Sequence, residues 1–106
     1  MSSKINLTCL NFQLREGARA NICALAEALF RQELFISNVN MTLEATYNRG
    51  SKYIYEVTLF LTLRNSEVVA FAQEDDLTVA VATAIKEAQG LLRDRLHFFR
   101  QESAPV

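Results

Sequence analysis

Lys86, Arg93 and Arg100 recur every seven residues toward the end of a 106-residue chain. On a helix, where each residue turns by about 100°, such a repeat drifts by only about 20° per step, so the three side chains make one cationic stripe with His97 close to it. A stripe of this kind can follow the phosphates of a nucleic-acid backbone without reading its bases. Glu87 and Asp94, also seven apart, make a neighbouring acidic stripe about 100° round the helix. The same spacing equally describes a solvated helix face of mixed charge, so at this stage both readings stand. Gly90 lies between these charges and costs a helix about 1 kcal/mol against Ala, a loss that would be offset if a partner had to approach closely.

Little else in the chain offers chemistry. His97 is the single histidine, and with only Arg93 and Asp94 beside it in sequence no acid–base dyad is established. There is no Gly-rich phosphate loop, no Gly-x-Ser-x-Gly turn and no acidic motif with metal spacing. Glu74-Asp75-Asp76 carries the charge to hold a cation, yet it also stands where a capping carboxylate belongs, ahead of a long apolar period. Cys9 and Cys23 are 14 residues apart and are expected as free thiols, because two cysteines and one histidine make neither a disulfide framework nor a zinc site. The chain is therefore expected to be no enzyme and to carry no metal or cofactor.

The elements that must position the stripe are legible from periodicity. Ile5, Leu7 and Cys9 alternate with Asn6 and Thr8, the pattern of a half-buried strand. From Ala18 to Glu33 the spacing becomes three and four through Ala18, Ile22, Leu25, Ala26 and Leu29, which predicts a helix without a capping side chain. Val39 to Tyr47 alternates again, and Asn48-Arg49-Gly50-Ser51 reads as a turn. A third strand runs from Tyr53 to Arg64, with Tyr55, Val57, Leu59, Leu61 and Leu63 inward. Its outward row is Glu56, Thr58, Phe60 and Thr62, in which Phe60 is the odd member. Asn65-Ser66 is short enough for a hairpin loop, and a fourth strand occupies Glu67 to Gln73. A long second helix follows Asp76, striped by Leu77, Val81, Ala84, Ile85, Ala88, Leu92, Leu96 and Phe99, with Pro105 past its end.

This order, β-α-β-β-β-α, predicts an α+β domain with two helices packed on one face of a four-stranded sheet, the other face polar and open. Residues 1–106 fit one domain, with 101–106 expected as a frayed tail. With no signal-peptide core, and no run near the roughly 18 apolar residues of a membrane span, a cytoplasmic location is expected. The net charge of −1 and pI near 5.8 deny the strongly basic field of a bulk nucleic-acid binder. That average conceals an uneven distribution. Residues 86–100 carry four cations and two acids, whereas 67–76 carry four acids and no cation.

The element order, the short first strand, and the segments Ile36-Ser37-Asn38-Val39, Glu67-Val68-Val69-Ala70-Phe71-Ala72 and Asp76-Leu77-Thr78-Val79-Ala80-Val81 resemble the hibernation-promoting factor and ribosome-associated inhibitor family over about residues 4–99. The resemblance, to the short form of that family, implies a cytoplasmic, non-enzymatic factor. Its partner would be the small ribosomal subunit, where it would occupy the place of messenger and transfer RNA and inhibit translation under stress. It also assigns residues: Arg19 matches a basic position early in the first helix and Arg93 falls in the basic run of the second, so Arg19, Lys86, Arg93 and Arg100 become the expected rRNA phosphate contacts. The chain departs from the pattern at Thr78, where Tyr is usual, at Ala82, where Asp is, and at Leu25, Ala28, Glu87, Gly90 and Asp94, where cations are common. Fewer phosphate contacts mean a lower RNA affinity. An alternative expectation is a divergent member acting as a protein-interaction or homodimer module, with Ile54 and Phe60 on the open sheet face as the interface.

Overall fold

The computed structural model describes residues 5–32, 36–47, 53–64 and 66–103, and of the last helix the backbone alone beyond residue 94. The elements follow in the order β1 (Ile5–Leu10), α1 (Glu16–Gln32), β2 (Asn38–Tyr47), β3 (Tyr53–Thr62), β4 (Glu67–Glu74) and α2 (Leu77–Ser103). The strands form one sheet in the order β1-β2-β3-β4. β1 runs parallel to β2, with Ile5 beside Val39, and a parallel neighbour requires a crossover, which α1 supplies. β2, β3 and β4 form an antiparallel meander, with Leu43 opposite Val57 and Leu59 opposite Ala70. The architecture is the expected α+β arrangement of two helices over a four-stranded sheet.

One core holds the layers together. From the sheet it takes Val39, Met41, Leu43, Val57, Leu59, Leu61, Val68, Ala70 and Ala72, and from the helices Ile22, Ala26, Leu29, Ala80, Val81, Ala84, Ile85, Ala88 and Leu92. α2 packs over β4 and β3 and lies beside α1. The small residues of β4 let α2 sit close, so its inner stripe is itself rich in alanine. Loss of such contacts is costly, because a large buried side chain cut back to Ala leaves a cavity as well as losing its transfer free energy.

Boundaries differ from the periodicity by one or two residues, each for a local reason. α1 begins at Glu16 and not Ala18, because the Arg15 carbonyl accepts the Arg19 N–H at 2.9 Å and so closes the first turn without a side-chain cap. β3 stops at Thr62, two residues short of Arg64, since the Leu63 N–H already donates to the Ser66 carbonyl at 2.8 Å across the hairpin. The start of α2 matches expectation: Asp76 Oδ1 accepts the Val79 N–H at 3.1 Å, satisfying one of the donors that a helix start leaves unpaired. Asn11, just past β1, is the one described non-glycine with positive φ, 70°, a conformation that Asn tolerates better than most residues. The expected turn at residues 48–51, the Asn65 position, the end of α1 at Glu33 and residues 104–106 lie outside the described residues.

The open face is the main departure. Polar groups line it on all four strands, among them Asn6, whose Nδ2 donates to Asn38 Oδ1 at 3.2 Å and to Asn40 Oδ1 at 3.0 Å, and Gln73, whose Nε2 donates to Glu56 Oε2 at 3.0 Å. Over β3 and β4 it carries Phe60, Val69 and Phe71, with Phe60 and Val69 opposite one another in register. From Val68 to Ala72 β4 is thus apolar on both faces, small residues inward and large ones outward, which a simple inside/outside rule does not anticipate.

Candidate nucleic-acid interface

α2 is about 40 Å long at 1.5 Å per residue, and its buried residues, centred on Ala84, Ala88 and Ala80, define which side faces away from the core. Lys86 and Arg93 stand on that outward crest, and both are exposed. They lie about 10 Å apart along the axis, and neither makes an ion pair with a described residue. Gly90 separates them, and the Arg93 guanidinium leans back across it: a Cβ added at Gly90 would sit 3.8 Å from an Arg93 terminal nitrogen, an ordinary contact distance. Arg100 is part of the same helix backbone, while its side chain, like that of His97, lies outside the described residues.

Arg19 is exposed on the first turns of α1. Burial pushes the Cys9 thiol pKa up, and the charge of Arg19 pulls it partly back, so the guanidinium stands within electrostatic reach of β1. β1 and β4 are the two outer strands of the sheet, about 14 Å apart at the usual strand spacing. Arg19 and the α2 crest therefore share the helical layer but flank it, one over each side. A long, groove-like partner could span them; a small anion could not.

Glu87 and Asp94, the acidic stripe expected beside the crest, are both exposed, but only Asp94 lacks a contact with the described sheet residues. Glu87 turns down toward the sheet, where its Oε2 accepts the Phe71 N–H at 3.1 Å. Its negative charge is thereby directed away from Lys86 and Arg93 and held on β4. Asp94 remains exposed. Both thiols, Cys9 and Cys23, are free and half-buried. No group of three or more His, Cys, Asp or Glu among the described residues could hold a metal ion, and no described helix is long and apolar enough to cross a membrane.

Ile54 and Phe60, the expected interface residues, lie on the open face. Both are half-buried, because Phe60 lies between Asn40 and Val69 in the strand register. Besides Leu10 on β1, the exposed large apolar groups of that face are Val69 and Phe71 on β4, each 48% exposed. Their signal was present in the chain as Val69 and Phe71 alternating with Val68, Ala70 and Ala72, but it points outward only once β4 is known to pack its small residues against α2. Around Glu44 and Glu56, which face each other in register, amide donors relieve the like charges: Gln73 Nε2 reaches Glu56 Oε2 at 3.0 Å and Asn11 Nδ2 reaches Glu44 Oε2 at 3.5 Å.

No family model and no curated protein matches the sequence. Solved structures do match. A ribosomal subunit interface protein from Coxiella burnetii superposes with a TM-score of 0.71 at 18% identity, covering 88% of this chain and 97% of that one. The N-terminal domain of Protein Y from Thermus thermophilus superposes with a TM-score of 0.64 at 13% identity, covering 84% and 97%. Nearly the whole of each relative is matched, so the likeness concerns the complete fold and not a shared motif. The chain has the fold of these two proteins, the fold that its resemblance to the hibernation-promoting factor family implies.

Proposed function

We propose that this chain is a non-enzymatic ribosome-associated factor that binds the small ribosomal subunit and holds translation in check under stress. The observation that carries this reading is the outward crest of α2, where Lys86 and Arg93 stand exposed and unopposed by Glu87, on a fold like that of a ribosomal subunit interface protein. Arg19 flanks the crest across the helical layer, and Arg100 extends it by two turns. In this role the cations meet rRNA phosphates, the sheet supplies rigid bulk, and the mechanism is occupancy: no bond is made or broken. Docking falls with salt, because each phosphate neutralised releases counterions, and with few cations both the affinity and the salt slope are modest.

Pelleting with ribosomes over a salt titration tests the reading. The expected result is co-sedimentation with small subunits at low salt, lost as salt rises, and weakened in Lys86→Glu/Arg93→Glu. Absence from the ribosomal fraction at every salt concentration refutes it. The competing reading, a homodimer or protein-interaction module, draws its support from Val69 and Phe71. It requires a dimer that Phe71→Asp dissolves, whereas the ribosomal reading gives monomers in both forms by light scattering.

A further inference from the structure

β4 is an outer strand, with no strand on its far side among the described residues. In an antiparallel ladder alternate residues turn their N–H and C=O toward the partner strand and the rest turn them away. Phe71 is one that turns away: its N–H leaves the sheet and donates to Glu87 Oε2 at 3.1 Å. By the same alternation Val69, Gln73 and Glu67 present backbone groups to the free edge. Alongside that edge stand the exposed side chains of Val69 and Phe71. An unpaired edge bordered by large apolar groups is a template for another strand, and folded proteins block such edges with charge.

The strand this edge fits is β4 of a second copy. Antiparallel pairing about Ala70 sets Val69 against Phe71 of the other copy, in both directions, and Glu67 against Gln73. Apolar meets apolar, no like charges face each other, and the residues so paired are those whose backbone groups are turned outward. Glu87 obstructs this pairing. Its carboxylate occupies the Phe71 N–H, the donor nearest the centre of the junction, and pairing would require stripping water from that charge. We propose that Glu87 is an edge guard, which closes β4 against self-pairing and keeps the chain monomeric. This holds whether or not the chain binds ribosomes.

The experiment compares wild type, Glu87→Ala and Glu87→Ala/Val69→Lys by light scattering over a concentration series, with amide exchange at Phe71 read in parallel. Residue 87 is an exposed helical position, where Ala favours folding. Wild type is expected to be monomeric at all concentrations, with Phe71 protection independent of concentration. In dilute Glu87→Ala, exchange at Phe71 accelerates by about tenfold or more, as expected for the loss of a hydrogen bond to a charged acceptor. On concentration that variant dimerises, regains protection at Phe71, and is returned to monomer by the added Val69→Lys. A Glu87→Ala variant that stays monomeric throughout, unchanged exchange at Phe71, or a wild type already paired through β4 overturns the proposal.

Discussion

The crest of α2 and the open face of the sheet lie on opposite sides of the molecule and differ in charge. The crest carries Lys86 and Arg93; of the two acids beside it, Glu87 bends down to the backbone of β4 and Asp94 stays exposed. The described strand residues of the open face carry Glu44, Glu56 and Glu67 and no cation, with Phe60, Val69 and Phe71 grouped over β3 and β4. A net charge near zero is therefore the sum of two unlike surfaces, and only one of them suits a phosphate backbone. The difference also separates the two proposals: the ribosomal reading draws on the helical layer, and the edge guard acts at the sheet.

The largest test of this separation lies inside β3. Leu59 faces the core and is fully buried, while its neighbour Phe60 faces outward and is half-buried. Leu59→Ala is expected to lower the unfolding free energy by about 3 kcal/mol and Phe60→Ala by about 1 kcal/mol, measured by urea titration. Equal losses would mean that the two faces are buried alike. Next in size, Lys86→Glu/Arg93→Glu should weaken ribosome pelleting by on the order of tenfold or more and flatten its salt dependence by about two phosphate contacts. Phe71→Asp on the other face should leave pelleting unchanged; a comparable loss there would place RNA on both surfaces.

Smaller effects sharpen the crest itself. Gly90→Ala is expected to stabilise the chain by about 1 kcal/mol in thermal or denaturant unfolding, because the added methyl has room beside Arg93 and the helix gains propensity. If it also weakens pelleting, close approach at Gly90 is part of docking. The smallest change expected is at Cys9. Removing the Arg19 charge withdraws the one influence that lowers this thiol's pKa, so the pKa rises further and less thiolate is present at a given pH. Alkylation of Cys9 at mildly alkaline pH should slow a little in Arg19→Ala, and an acceleration would mean that the side chain shields the thiol more than it ionises it.

How much of this was readable in the chain depends on how far each contact reaches. β2 and β3 were legible because each buries one face and wets the other, so alternation maps directly onto burial. The start of α2 was legible because its cap is local, Asp76 to Val79. β4 was harder: Val-Val-Ala-Phe-Ala is apolar at every position, and only the approach of α2 decides that the small residues go inward. Glu87 was read as one member of an acidic stripe because nothing within a helical turn reveals a backbone donor 16 residues earlier. For the same reason the displacement from Phe60 to Val69 and Phe71 as the exposed apolar pair waited on the strand register.

The parallel seam between β1 and β2 also governs the order in which the molecule assembles. β2, β3 and β4 are joined by hairpins and find their partners close along the chain, whereas Ile5 must wait for Val39. No residue of β1 is fully buried: Ile5, Leu7 and Cys9 are only partly covered. Closing a long loop for a modest gain in burial makes a late event in folding and an early one in unfolding. The meander with α2 is thus expected to form before β1 docks, and β1 is the strand whose amides should lose protection first under native conditions.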